Sequence, residues 1–279
     1  MAGTLYLCAT PIGNLEDISL RVLRLLRECD VVAAEDTRHT LKLLNHFEIT
    51  TPLVSYHEHN KAAKGPQLVQ LLQEGKNIAL VTDAGMPGIS DPGEDLVRLC
   101  YEAEVPVTVA PGASAVVTAL VLSAMGGRRF VFEGFLPPDK KERAAVLERL
   151  KDEERTTIFY EAPHRLPETL RLLAQATENR RACCLRELTK KYEERREDAL
   201  LDLAAYYEAN SPKGEFVIVL AGKDPQEAKK EKEASFSAMP LEEHMQLYLA
   251  KGWSEKDAMK QVAKDRGVSK RDIYALWKG

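Results

Sequence analysis

Ile78-Ala79-Leu80-Val81-Thr82-Asp83-Ala84-Gly85-Met86-Pro87-Gly88-Ile89-Ser90-Asp91-Pro92-Gly93 is a run of strand length that stops at Thr82, a loop dense in glycine and proline, and the start of helical spacing. A strand, a stiff turn and a helix make a βα unit, and open α/β sheets hold ligands at the carboxyl ends of their strands, where such turns lie.

Working outward, the unit recurs. Thr4–Ala9 runs into Thr10-Pro11-Ile12-Gly13-Asn14-Leu15 and a helix around 19–28, and Val31–Ala34 runs into Glu35-Asp36-Thr37-Arg38. Leu53–Ser55 and Val107–Val109 are further strands, the second followed by Pro111-Gly112-Ala113-Ser114-Ala115. Helical spacing near 38–46, 61–74, 92–103 and 113–125 separates them, so residues 1–124 are expected to form an open, largely parallel sheet. Glycines let the backbone approach a ligand, and prolines reduce the ordering lost on binding. The four loops are therefore read as one site for a compact, folded cofactor. Asp83, a carboxylate at a strand end, suits an amine or ribose hydroxyls, or else caps a helix. No GxGxxG follows the first strand and no GxxxxGK[ST] occurs, which argues against NAD and ATP.

After Gly126-Gly127 a second α/β domain is expected over 125–224. Its pieces are Phe130–Phe132, a charged helix at 140–151, Thr156–Tyr160, a helix at 167–176, a hairpin of Ala182–Leu188 with Tyr192–Asp198, a helix near 200–208, and a closing strand Phe216–Leu220. Charged and almost without apolar residues, 225–235 reads as a solvated linker or a frayed helix. The segments 241–250, 254–265 and 269–277 are helix-like, with Ser254 and Ser269 at N-cap positions and Gly267 at the turn, so 236–279 reads as a helix-turn-helix-like extension. Its eight basic and six acidic residues suit RNA or ribosome docking, with Lys270 and Arg271 exposed; a packing or dimerisation appendage is the other reading.

Composition sets outer limits. The 279 residues are 44% hydrophobic and 29% charged, which excludes collagen-like, coiled-coil and wholly disordered chains. A net charge of −4, from 39 Lys plus Arg against 43 Asp plus Glu, excludes a uniformly basic nucleic-acid coat and permits a local basic surface. The longest apolar run, 113–125, is short of the roughly 20 residues a membrane helix needs and reads as a buried helix. With no basic leader at the start, a cytoplasmic protein without membrane contact is expected. Five cysteines without a CxxC pair suggest buried, reduced thiols. His57-Glu58-His59 lacks a third ligand, so no metal is expected.

In order along the chain, TPIGNLED (10–17), AEDTRHT (34–40), DAGMPGISDPG (83–93), PGASA (111–115), FEGFLP (132–137), EAPHRL (161–166), RELTK (186–190) and GEFVIVLAG (214–222) resemble the bacterial small-subunit ribosomal RNA cytidine 2′-O-methyltransferases of the tetrapyrrole methylase superfamily. The resemblance covers residues 3–224. It implies two α/β domains with S-adenosylmethionine folded in the cleft between them, in a homodimer. The implied substrate is a cytidine in the decoding region of 16S rRNA in the 30S ribosomal subunit, methylated on its ribose. Implied cofactor contacts are Pro11, Asp83, Gly85, Met86, Pro87, Ser114, Ala115, Tyr160, Gly214, Glu215 and Phe216. The family often has Thr and Leu where this chain has Met86 and Gly88, leaving backbone contacts at the first of these.

Methyl transfer from a sulfonium is an in-line displacement that chiefly needs alignment. A ribose hydroxyl is a poor nucleophile, so a carboxylate or a neutral lysine beside it would help. Glu35, Asp36, Arg38, Glu187 and Lys190 are the catalytic candidates, and Arg165, Arg186, Lys270 and Arg271 are the candidates for gripping RNA phosphates. Asp36 as an N-cap and Arg186-Glu187 as a local ion pair are the structural alternatives. Two other functions share these features: a porphyrinoid-precursor C-methyltransferase, with a wide cleft for an acidic macrocycle, and a non-catalytic RNA-binding relative.

Overall fold

In the computed structural model, which describes residues 2–278, the strands β1 (Leu5–Cys8), β2 (Val31–Ala34), β3 (Leu53–Ser55), β4 (Ile78–Val81) and β5 (Val107–Ala110) pair in the order β3-β2-β4-β1-β5. Every pairing is parallel. Parallel neighbours need crossover connections, supplied by α1 (Leu20–Glu28), α2 (Thr37–His46), α3 (Lys61–Gln73) and α4 (Gly93–Glu102), which cover both faces. On one face Leu5, Ile78 and Leu80 meet Leu68, Leu72 and Leu96; on the other Cys8, Ala79 and Val81 meet Val22, Leu26 and Leu44. From β1 and β4, side by side at the centre, the chain departs in opposite directions, towards β2 and towards β5. Ligands of open α/β sheets collect at such a point.

The second sheet contains β6 (Phe130–Phe135), β7 (Thr156–Glu161), β8 (Arg181–Arg186), β9 (Glu194–Ala199) and β10 (Phe216–Leu220) in the order β6-β7-β10-β8-β9. β6 and β7 are parallel, joined through α6 (Lys140–Leu150), and the other pairings are antiparallel. The β8–β9 hairpin forms. β10, last in sequence, is the middle strand and is buried along its whole length, a position that suits a run apolar on both faces. Its alternate residues serve two cores. Ile218 joins Phe159 and Cys184 under α7 (Leu166–Ala176) and α8 (Leu200–Ala209). Val217 and Val219 join Ile158 and Cys183 against Val116, Ala119 and Leu120 of α5 (Ala115–Ser123) and Ile12 of the first domain. An apolar core thus runs across the domain boundary.

One expectation changes, and one open alternative closes. The apolar run 113–125 reads as a buried helix, but only one side of α5 meets the second sheet; on the other side Val117 is 53% and Val121 75% exposed. Of the two readings of 225–235, solvated linker or frayed helix, the structure has the helix: the stretch lies within α9 (Pro225–Ala238), capped by Asp224, which accepts from the Gln226 N–H at 2.8 Å. Glu, Lys, Gln and Ala are good helix formers even where no apolar face marks the period.

The C-terminal helices α10 (Leu241–Leu249), α11 (Glu255–Asp265) and α12 (Lys270–Lys278) pack around Met245, Ala258, Met259, Val262 and Ile273. Ser254 accepts from the Asp257 N–H and Ser269 from the Asp272 N–H, each at 3.2 Å, which fixes the starts of α11 and α12. All five cysteines are buried and unbonded, and burial pushes the Cys29 and Cys100 thiols up to about 11. Among the described residues no helix is long and apolar enough to cross a membrane.

Candidate functional site

The loops after β1 and β4 are stitched together. Thr10 N–H donates to Gly85 O at 2.9 Å, Gly85 N–H returns a bond to Thr10 O at 3.1 Å, and the buried Thr10 hydroxyl donates to Thr82 O at 3.1 Å. Gly85 takes φ of +84°, a conformation glycine adopts without a steric penalty. Farther along, the Asp91 carboxylate accepts from the N–H groups of Gly88, Ile89 and Gly93 at 2.7 to 3.1 Å. Asp91 therefore holds the glycine-rich loop in shape and secures the start of α4.

Two adjoining cavities open at this edge of the sheet. The first, about 320 Å³, is walled mainly by Ile12, Met86, Ala115, Phe135, Tyr160 and Val217, drawn from both domains. Tyr160 stands edge-on to Phe132 and Phe135, with ring centroids at 4.9 and 5.7 Å. Burial raises its phenol above the ordinary value, against the opposing effect of a hydrogen bond with the Val116 backbone. The second cavity, about 440 Å³, adds charged and polar side chains to apolar ones, with His39, Thr40 and Lys42 on α2, Asp83 after β4, and Lys190 and Glu215 from the second domain. Ile12, Ala84 and Glu215 line both.

Lys190 anchors the seam. Its Nζ donates to Glu187 Oε1 at 3.1 Å and to Glu215 Oε2 at 2.8 Å, while the Glu187 carboxylate also accepts the Glu215 N–H at 3.0 Å. Partial burial acts to lower the lysine, but the two carboxylates outweigh it and hold Lys190 above its ordinary value. Partial burial likewise acts to raise Glu187, and Lys190 with the Glu215 N–H holds it below. Gly214 has no room for a side chain: a Cβ there would lie 2.5 Å from Glu187 Oε1. Glu187 and Thr189 have φ of +50° and +65°, so this turn is held in a conformation non-glycine residues seldom take.

Of the cofactor residues expected from the sequence, Gly85, Met86, Ser114, Ala115, Tyr160, Glu215 and Phe216 line the first cavity, and Pro11 and Asp83 line the second. Pro87 and Gly214 line neither cavity. Among the catalytic candidates only Lys190 lines a cavity, with Glu187 gripping it from behind. Glu35 accepts from the Thr82 hydroxyl at 2.7 Å. Asp36 caps α2 and accepts from Arg38 through both the backbone N–H and the guanidinium, which holds its carboxyl well below the usual range. α2 instead offers the cavity His39, within the AEDTRHT motif, and Lys42, two residues beyond it.

The expected phosphate contacts are scattered. Arg165 donates to Leu136 O at 2.6 Å and pairs with Glu161, which is buried and also accepts from Thr169. Arg186 donates to Lys213 O at 2.7 Å, away from both cavities, while Lys270 and Arg271 belong to α12. Ile12, Ala84, Phe135, Ala162 and Pro163 line the first cavity as well and fall inside the quoted motifs, whereas Lys42 of the second cavity falls in none.

A family model for tetrapyrrole (corrin/porphyrin) methylases matches residues 4–204. A Halalkalibacterium halodurans protein, Ribosomal RNA small subunit methyltransferase I, is 49% identical over 275 residues, covering 99% of this chain and 94% of its own length. The chain belongs to the ribosomal RNA small subunit methyltransferase I family of tetrapyrrole methylases. A Synechocystis member of that family is 46% identical, with 98% and 97% coverage. Among solved structures, uroporphyrin-III C-methyltransferase from Thermus thermophilus complexed with S-adenosylhomocysteine aligns with a TM-score of 0.54 at 19% identity, over 78% of this chain and 97% of that one. At that distance the likeness concerns the fold. The two sheets and the cleft between them are thus the tetrapyrrole methylase architecture, with α9 to α12 added after it.

Proposed function

We propose that the protein transfers a methyl group from S-adenosylmethionine to the 2′-hydroxyl of a cytidine in the decoding region of small-subunit ribosomal RNA. The observation that carries this reading is the meeting of an apolar cavity and one lined by both cations and carboxylates at Ile12, Ala84 and Glu215. The first suits a flat base and a thioether; the second, with His39, Lys42 and Lys190, suits a sugar joined to phosphates. Relatives named ribosomal RNA small subunit methyltransferase I support an RNA acceptor over an acidic porphyrinoid.

The donor set fits the cofactor. Apolar walls of Ile12, Met86 and Val217 suit its adenine and sulfur, and the backbone at Ala84 and Ser114-Ala115 on the cavity wall supplies polar edges without bulk. Asp83 and Glu215 offer carboxylates to an amine or to hydroxyls. When bound, S-adenosylmethionine supplies an electrophilic methyl on a sulfonium, and the chain's task is to align an oxygen with it. Lys190, held in its charged form, is a cation for the acceptor's phosphate rather than a proton acceptor. Glu187 and Glu215 keep it aimed at the seam. The proton goes to a carboxylate lining the polar cavity, Asp83 or Glu215.

The exposed side of α5, with Val117 and Val121, supports a homodimer in which a second copy covers it. Labelled methyl is offered with small ribosomal subunits, free 16S RNA and a porphyrinoid precursor, followed by alkaline hydrolysis. Label in an alkali-resistant dinucleotide is expected. Label in the precursor alone overturns the reading.

A further inference from the structure

The helical unit carries a feature that neither cavity uses. Trp253, one residue before the cap of α11, is 43% exposed and, with Asp257, Lys260, Gln261 and Lys264, lines a groove of about 670 Å³. This side of α11 is turned away from its buried Ala258, Met259, Val262 and Ala263. Residues four apart share a helix face, so Lys256, Lys260 and Lys264 form a ladder rising about 6 Å per step. The Trp253 ring is backed by Tyr248, with centroids 5.2 Å apart, which leaves its other face for a ligand.

Lysines outnumber carboxylates along the groove, with Lys260 and Lys264 against Asp257. Glu255 accepts from Trp277 Nε1 at 2.6 Å and pairs with Lys278 at 2.7 Å. Asp265 accepts from Tyr248 and Gln261, Asp257 from the Ser254 hydroxyl at 2.6 Å, and Asp272 from the Ser269 hydroxyl at 2.7 Å. Glu255 and Asp265 are thus engaged inside the unit; Asp257 lines the groove itself, and Glu242 and Glu243 lie exposed on α10. Lys256, Lys260 and Lys264 make no ion pair among the described residues.

An aromatic platform beside an unneutralised row of lysines is how proteins hold single-stranded nucleic acid, with a base stacked on the ring and phosphates along the cations. We infer that this groove binds a single-stranded segment of the substrate RNA, which gives the C-terminal unit a gripping role while the cleft works on the nucleotide. The inference rests on the RNA-acceptor reading above, and it centres the contact on α11 rather than on Lys270 and Arg271 of α12.

The test uses the full chain carrying Trp277→Phe, so that Trp253 alone reports, titrated with oligouridylate at several salt concentrations. Quenching of Trp253 emission is expected. Trp253→Ala, followed by filter binding, should weaken affinity about tenfold, while Trp253→Phe retains most of it. The triple variant Lys256→Gln, Lys260→Gln, Lys264→Gln should make the salt slope shallower by about two. In methyl transfer to small subunits the same variants should raise KM and leave kcat intact, with cofactor affinity and melting temperature unmoved. No quenching and an unchanged salt slope overturn the proposal, whatever the methylation assay reads. Variants that bind free RNA normally but fail only on assembled subunits overturn it too, because the groove then meets a ribosomal protein. Absence of RNA methylation by the unmodified chain, with quenching intact, overturns the acceptor reading and leaves the groove standing.

Discussion

Gly13 and Lys190 pack so closely across the domain seam that a Cβ on Gly13 would lie 2.5 Å from Lys190 Cγ. The Leu188 carbonyl and the Thr189 hydroxyl, each 2.9 Å from that Cβ, close the remaining space, and Asn14 N–H donates to the same hydroxyl at 3.1 Å. The lysine stem could swing aside, but the backbone carbonyl could not. Gly13→Ala should therefore cost about 1 to 3 kcal/mol in urea unfolding and depress methyl transfer further by displacing Lys190. Full activity at reduced stability would mean that the seam does not govern the chemistry.

Replacing Lys190 itself removes a charge while keeping the fold. Lys190→Gln should lower methyl transfer about 10- to 100-fold, the range of a lost charge-assisted hydrogen bond, with cofactor affinity by calorimetry changed far less. Should affinity for the cofactor collapse instead, Lys190 belongs to the methyl-donor side of the seam.

Asp91 contacts no cavity, yet three loop N–H groups depend on its carboxylate. Asp91→Ala should weaken cofactor binding about tenfold by loosening the Gly85–Gly88 turn, with Asp91→Asn intermediate because it keeps one acceptor oxygen. Titration calorimetry checks the order, and equal effects from the two variants would count against it.

His244 makes the helical unit sensitive to acid. Its Nδ1 accepts from Arg266 Nε at 3.1 Å, its Nε2 lies 3.3 Å from Asp265, and Phe236 stacks on the ring. Burial first, with the Arg266 charge adding to it, outweighs Asp265 and holds the imidazole below its ordinary value of 6.5. The unfolded chain thus takes up the proton first, so the stabilisation is complete above that value and declines as pH falls towards the folded-state pKa. Thermal melts followed by helical dichroism should show the C-terminal unit loosening as pH falls below 6.5. His244→Gln should flatten this dependence.

Val121→Glu would place a charge on the uncovered side of α5. On the proposed homodimer, sedimentation should report dimers for the unchanged chain and monomers for the variant, with the melting temperature of the monomer nearly preserved because that side chain is already 75% exposed. Dimers unaffected by the charge would mean that another surface joins the copies.

Most of the architecture was legible because each parallel strand ends abruptly, as Ile78–Val81 does before Asp83-Ala84-Gly85, and apolar spacing then turns helical. The grouping of Gly85, Met86, Ala115, Tyr160 and Phe216 at one cavity was likewise open to motif reading. Side-chain direction was not. Asp36 stands in a motif that suits catalysis, but the first turn of α2 folds its carboxylate onto Arg38 and presents Lys42 to the cavity instead. Arg165 is drawn inward by Glu161, a partner whose burial no local pattern reveals. The exposure of Val121 depends on which face of α5 the second sheet covers, a long-range fact absent from an evenly apolar helix.

The position of β10 bears on how the chain is made. The first sheet has all its strands once residue 110 has been synthesised. The second has a gap between β7 and β8 until Phe216–Leu220 leaves the ribosome, so two strand pairs must wait with open inner edges, vulnerable to wrong partners. Vectorial synthesis therefore leaves the N-terminal lobe, with α5 already displayed, as a template on which the later half can close in a single late step.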